Sequence, residues 1–207
     1  MKDFFLQRLL PAASLDKVDT ALRLAETYLS CGLTVMEVTF RTDKASACIR
    51  EIRSHFPDLH VGAGTLLSAG HVEAARQAGA EFGLGPALNA EVAQAAIDKE
   101  FPFIPGVSTP TEIEKALDMG FKILKLFPIK TLGGVAFIES MEGPYGNVDI
   151  EFIPMGGVDV DNLSAYLQCD SVIACGGSWL APPRLLDKND FSGISRIVKR
   201  SLAVTSE

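Results

Sequence analysis

Three histidines and four cysteines among 207 residues leave little material for a metal centre or a disulfide framework. Cys31, Cys48, Cys169 and Cys175 form no C-x-x-C pair and stand in apolar stretches, so reduced, buried thiols in a reducing cytoplasm are expected. His60 opens a strand-like run while His55 and His71 fall in or near helical patterns. No ligand cluster forms, and neither a metal nor another cofactor is expected. A Lys/Arg-rich stripe is missing too: 19 basic against 26 acidic residues give a formal charge of −7, unsuited to replacing the counterions of a nucleic acid. The partner class left is a small molecule. No apolar run approaches the ~18 residues of a membrane span. The amino terminus, MKDFFLQRLLPAAS, lacks a long apolar core followed by a small-residue cleavage site. Membrane insertion and secretion are therefore not indicated.

Short apolar runs are what the chain has in abundance. Centred on Leu10, Glu37, Gly62, Gly83, Ile104, Lys125, Ile153 and Ile173, they recur every 20 to 28 residues, the mark of a repeated unit. Helical patterns lie between them: Leu15, Val18, Leu22, Ala25 and Leu29 step by 3 and 4, as do Ala45, Ile49, Ile52 and Phe56. The stretch TPTE supplies an N-cap at Thr109, a first-turn Pro110 and a capping-box partner at Glu112. Alternation at this period predicts an α/β fold, a (β/α)8 TIM barrel, with residues 1–207 forming one domain. An open doubly wound sheet is the alternative, although the first turn, RLLPAASL, lacks the Gly-rich fingerprint usual there.

Within FKILKLFPIKTLGG, residues 121–134, an ammonium stands among aliphatic neighbours. Strand alternation puts Ile123, Lys125 and Phe127 on the barrel's inner face and Leu124 and Leu126 against the helices. The same parity in MEVTFRT turns Met36, Val38 and Phe40 outward and Glu37, Thr39 and Arg41 inward. Lys125 lies late in its strand, the end where barrels assemble active sites. A buried ion pair that merely fixes packing, or a lysine snorkelling to the rim, is the competing structural reading. Glycine clusters GAGT (62–65), MGG (155–157) and GGS (176–178) lie nearby, the last two after the seventh and eighth runs, where barrels commonly hold phosphate on backbone N–H groups. No histidine is placed to activate Ser178, which argues against a Ser-His nucleophile. What remains is amine catalysis on a phosphorylated keto acid. At its ordinary pKa of ~10.4 an amine is almost wholly protonated at neutral pH. Desolvation and the Arg41 charge are expected to lower that value for Lys125.

At this point MEVTFRT, VGAGT, FIPGVSTPTE, LKLFP, GGV and GGSWL, in that order between about Pro11 and Trp179, resemble the 2-keto-3-deoxy-6-phosphogluconate / 4-hydroxy-2-oxoglutarate aldolases. The resemblance implies a metal-free, lysine-dependent lyase built as a homotrimer of β/α barrels. It implies Lys125 as the Schiff-base lysine and Glu37 as the proton-shuttling carboxylate. Arg41, Thr65 and Pro86 would hold the pyruvyl carboxylate, Phe127 would flank the imine, and Gly156, Gly157, Gly177 and Ser178 would bind phosphate. Three departures touch the acceptor end of the substrate or the first strand: Met155 stands where threonine is common, Lys130 where an acidic residue is common, and RLLPAAS is poor in valine. The C4 configuration preferred, including the galactonate epimer, is thereby left open. A sugar-phosphate isomerase or epimerase and a non-catalytic sugar-phosphate-binding barrel are the other readings of the same scaffold.

Overall fold

The computed structural model describes residues 1–205, so the last two residues of the expected 1–207 domain lie outside the described residues. Parallel strands β1 (Leu9–Ala13), β2 (Val35–Thr39), β3 (His60–Gly64), β4 (Phe82–Leu84), β5 (Phe103–Ile104), β6 (Gly106–Val107), β7 (Ile123–Leu126), β8 (Glu151–Pro154) and β9 (Cys175–Gly177) form two hydrogen-bonded arcs. One runs β5-β4-β3-β2-β1-β9 and the other β6-β7-β8. The arcs join at Pro105, whose carbonyl accepts from Lys125 N–H at 2.9 Å but which has no N–H to return. β5 and β6 are thus one strand broken by its proline. On the other side Phe152 bridges Val172 and Met155 bridges Gly176. Eight strand positions close into a (β/α)8 barrel.

Helices α1 (Val18–Ser30), α2 (Ala45–His55), α3 (Ala69–Gln77), α4 (Ala90–Asp98), α5 (Pro110–Asp118), α6 (Ile129–Leu132), α7 (Val135–Tyr145), α8 (Leu163–Leu167), α9 (Pro183–Leu186) and α10 (Phe191–Thr205) surround it. Their apolar stripes face the sheet. In α2 the buried residues are Ala45, Cys48, Ile49 and Ile52. In α1 the buried set is Ala21, Leu24, Ala25 and Tyr28; of the expected stripe, Leu15 just before the helix and Ala25 within it are buried, whereas Val18, Leu22 and Leu29 pack at its edge. The large Tyr28 draws the stripe toward itself, and its hydroxyl donates to Leu180 O at 3.3 Å.

Two further expectations need adjusting. Thr109 caps α5 as foreseen, accepting from Glu112 N–H, but Glu112 returns its carboxylate to Ser108 N–H at 2.7 Å, one residue upstream of the box position. The eighth strand begins two residues beyond its expected centre at Ile173. Pairing with β8 is already made at that centre, where Phe152 N–H donates to Ser171 O at 2.7 Å and Ile173 N–H to Phe152 O at 3.1 Å, while the ladder with β1 runs from Cys175.

The amino-terminal turn Lys2–Phe5 closes the mouth at the strand starts. Phe4 stacks on Phe82 at 5.3 Å and meets His60 at a tilt at 4.7 Å, and Phe5 meets Phe82 edge-on at 5.8 Å. Lys2 reaches Glu151 at 2.8 Å, at the beginning of β8 on the opposite side. Function is left to the strands' other end.

Candidate active site

Glu37 and Lys125 are among the few polar residues buried in the barrel, at 1% and 6% exposure. Glu37 pairs in register with Ala12 and Gly62, and Lys125 with Gly106 and Ile153, so both side chains project into the lumen. Met36, Val38, Leu124 and Leu126 are fully buried against the helices, as parity requires.

Glycines make room for these groups. On β3, Gly62 and Gly64 sit two apart on the same inner face. A Cβ on Gly62 would collide with the Phe82 ring, and one on Gly64 with the Glu37 carboxylate. On β6, a Cβ at Gly106 would strike the Pro86 carbonyl. The carboxylate therefore lies across bare backbone.

Electrostatics follow from this burial. Desolvation raises the Glu37 carboxyl above its ordinary range, and the attractive charges of Lys125 and Arg41 only partly oppose it. Desolvation likewise lowers the Lys125 ammonium; Glu37 opposes that shift and Arg41 adds to it. Glu37 Oε2 is buried without a hydrogen-bond partner, and among the described residues the carboxylate forms no ion pair with Lys125. The competing picture of a packing ion pair is thus unsupported. Both groups are pushed toward their neutral forms, an amine able to attack and a carboxyl able to hold a proton. Lys125 Nζ also lies 5.0 Å from the centre of the Phe127 ring.

A cavity of about 200 Å³ brings Lys125, Glu37, Arg41, Phe127, Gly156, Gly157, Gly177 and Ser178 together. Arg41 lines it from the rim and is exposed, not inside the lumen as alternation suggested. β2 ends at Thr39, so alternation does not extend to residue 41; Phe40 turns aside to pack on His71 at 5.4 Å. Thr65 and Pro86 are not among the lining residues. Each is one step removed: Thr65 follows Gly64 in a left-handed conformation at φ 59°, and Pro86 covers Gly106 beside Lys125. A β-branched residue held there costs about 1–3 kcal/mol, a strain that surrounding structure must impose. The adjacent Leu66 N–H, tied to Leu84 O at 3.0 Å, helps impose it.

The loop after β8 carries the anion-binding geometry. Gly156 and Gly157 have φ of 87° and 96°. Lys130 N–H takes the Gly156 carbonyl at 3.0 Å and Asn162 Nδ2 the Gly157 carbonyl at 3.0 Å. The N–H groups of Gly157 and Val158 have no acceptor among the described residues. Successive N–H groups of this kind form a nest for an oxyanion. Met155, 4% exposed, lies beside the nest with its thioether against Gly176.

Sequence reasoning missed several lining residues. Ala12 and Ser14 share the inner parity of β1, so alternation in RLLPAAS was a sufficient signal. Pro183 and Leu186 come from α9, an excursion after the last strand that no periodicity announces. Among the described residues no group of three or more His, Cys, Asp and Glu is placed to hold a metal ion.

A family model for KDPG and KHG aldolase matches residues 3–197. The 2-dehydro-3-deoxy-phosphogluconate aldolase of Haemophilus influenzae is 38% identical over 197 residues, 95% of this chain and 92% of that protein. The KHG/KDPG aldolase of Escherichia coli is 35% identical, covering 93% of this chain and 89% of its own. Among solved structures, the KDPG aldolase of Legionella pneumophila, with pyruvate captured as a covalent carbinolamine, superposes with a TM-score of 0.91 at 31% identity over 96% of both chains. The 2-keto-3-deoxy-6-phosphogluconate aldolase of Zymomonas mobilis with 3-phosphoglycerate gives 0.89 at 31% identity, covering 97% of this chain and 93% of that one.

Proposed function

The chain belongs to the KDPG and KHG aldolase family, and from that premise we propose that Lys125 is the Schiff-base nucleophile of a class I aldolase. It cleaves 2-keto-3-deoxy-6-phosphogluconate reversibly to pyruvate and glyceraldehyde 3-phosphate. It also takes 4-hydroxy-2-oxoglutarate to pyruvate and glyoxylate. The observation that carries this reading is a buried, desolvated amine sharing one cavity with a buried carboxylate.

The neutral Lys125 amine adds to the C2 carbonyl, and the carbinolamine loses water to give an iminium. That cation draws in the electrons of the C3–C4 bond while Glu37 accepts the C4 hydroxyl proton, so C4 leaves as an aldehyde. The enamine is reprotonated at C3, with Glu37 as proton donor, and water releases pyruvate and the free amine. Arg41 at the rim pairs with the substrate carboxylate through a two-pronged contact, and Thr65 and Pro86 shape the wall behind it. Phe127 flanks the imine. Gly156 and Gly157, with Gly177 and Ser178, hold the phosphate. Met155 offers a thioether where a hydroxyl could donate, so its wall is apolar; cleavage of the galactonate epimer is an alternative preference. The same proposal takes the chain as one domain, assembled as a homotrimer in the cytoplasm. Its four free thiols suit a reducing compartment, and no helix among the described residues is long and apolar enough to cross a membrane.

Incubation with pyruvate and borohydride, followed by peptide mass mapping, tests the assignment. A reduced pyruvyl adduct on Lys125 is expected. Trapping should become faster as pH rises, with an apparent pKa below the ordinary 10.5 of lysine. An adduct on another lysine, or none, would remove Lys125 from the mechanism and return the isomerase or binding-barrel reading.

A further inference from the structure

Lys130 is a cation whose stem lies against Gly157 of the phosphate nest and which the catalytic cycle does not use. It is the second residue of α6, which follows the strand bearing Lys125, and it is exposed. Two backbone bonds strap this turn to the loop after β8: Ile129 N–H donates to Met155 O at 2.9 Å and Lys130 N–H to Gly156 O at 3.0 Å. The Lys130 stem then runs along Gly157. A Cβ built on that glycine would touch Lys130 Cβ, with Cδ at 2.7 Å and Cγ at 3.1 Å. Three carbons of the side chain thus lie over a residue that lines the cavity, and the ammonium stands two bonds further on.

The ammonium is also uncommitted. Among the described residues Lys130 forms no ion pair and no side-chain hydrogen bond. The nearby acids are occupied: Asp159 Oδ1 accepts from Asp161 N–H at 3.0 Å and Asn162 N–H at 3.2 Å, and Asp161 pairs with Arg200 at 2.7 Å. A phosphate monoester carries nearly two negative charges at neutral pH. The nest meets these with partial charges only, on a protein whose formal charge is −7.

We propose that Lys130 is a specificity-determining residue whose ammonium closes over Gly157 onto the outer oxygens of the bound phosphate, favouring phosphorylated over unphosphorylated acceptor ends. This rests on reading the Gly156–Gly157 loop as the phosphate seat. The stem restricts the lysine before binding, so less rotamer freedom is lost on contact.

Lys130→Gln keeps most of the stem and removes the charge; Lys130→Arg keeps both. Two measurements apply to each variant. The first is the Kd for sn-glycerol 3-phosphate by calorimetry at low and moderate salt. The second is the ratio of kcat/KM for 2-keto-3-deoxy-6-phosphogluconate to that for 4-hydroxy-2-oxoglutarate. Lys130→Gln is expected to weaken glycerol phosphate binding, and lower the ratio, by roughly 5- to 20-fold, between an exposed ion pair and a charge-assisted hydrogen bond. The salt dependence of binding should flatten, and Lys130→Arg should restore both values. An unchanged Kd and ratio in Lys130→Gln would overturn the proposal, as would equal losses in both variants, which would mean that α6 had shifted. Cleavage of neither substrate by the unaltered protein would sink the aldolase reading, while the calorimetric comparison would still decide the Lys130 contact.

Discussion

Glu37 places function and stability in opposition. Its carboxyl is held above 4.5 by burial, so the folded protein keeps a proton that the unfolded chain has released. The favourable contribution is therefore complete below pH 4.5 and is lost as pH rises through the folded value. Lys125 works from the other side: its pKa lies below 10.5, so stability declines as pH falls beneath that figure. At neutral pH the site is carried at a loss. Glu37→Gln cannot ionise, and its Tm relative to the unaltered protein is expected to rise between pH 4 and pH 7, by roughly 2–4 °C for each kcal/mol relieved. Turnover should drop about 10²–10⁴-fold for want of a proton acceptor, while borohydride trapping of pyruvate at Lys125 persists. Calorimetric melts at both pH values and a coupled pyruvate assay read the two effects. Turnover near that of the unaltered protein would remove Glu37 from the chemistry.

Strand β3 is the element whose sequence the site depends on most closely, although it supplies no reacting group. Gly62 and Gly64 each withhold a Cβ from the lumen, the first for Phe82 and the second for Glu37. The same strand end feeds Thr65 into its left-handed conformation. Gly64→Ala would place a methyl group inside the present position of the Glu37 carboxylate. Overpacking in a filled core costs about 1–3 kcal/mol, and the flexible end of Glu37 moves more readily than the backbone. The expected outcome is a folded protein with a modestly lower Tm and turnover reduced at least about 10²-fold, as for loss of the acid/base group, with imine trapping retained. Turnover near the unaltered level would show that Glu37 reacts from another rotamer. The loop after β8 follows the same division of labour: Asn162 and α6 hold the carbonyls of Gly157 and Gly156, while the N–H groups of Gly157 and Val158 have no acceptor among the described residues.

Across the whole molecule, the barrel separates its closed end from its reacting end. The Lys2–Phe5 turn joins β3 and β4 to β8 beneath the lumen, and Phe5, 4% exposed, is its buried anchor. Phe5→Ala is expected to lower stability by about 3–5 kcal/mol, as aromatic truncation in a core does, read from urea unfolding. The rate of pyruvate trapping by the protein that remains folded should be unchanged. A fall in trapping to match would mean that the two ends are coupled through the lumen layers.

Strand alternation alone sufficed to turn Lys125 and Glu37 inward, because side-chain direction in a strand is a local property with period two. The recurrence of apolar runs likewise predicted the barrel, since each β/α unit must bury its own apolar stripe on the sheet. What the chain could not reveal by itself were facts about closure. Arg41 left the lumen because β2 stops at Thr39 and the chain beyond it turns Phe40 onto His71 across the fold. The eighth run meets β8 at Ile173 but β1 only from Cys175, a division set by which neighbour each segment finds when the ring closes. Pro183 and Leu186 joined the cavity, and Lys130 met Gly157, only once the ring had closed and set loops from different strands side by side. Direction along one strand is decided by local geometry; which side chains share a cavity is decided by long-range packing, where neighbours far apart in the chain compete for the same space.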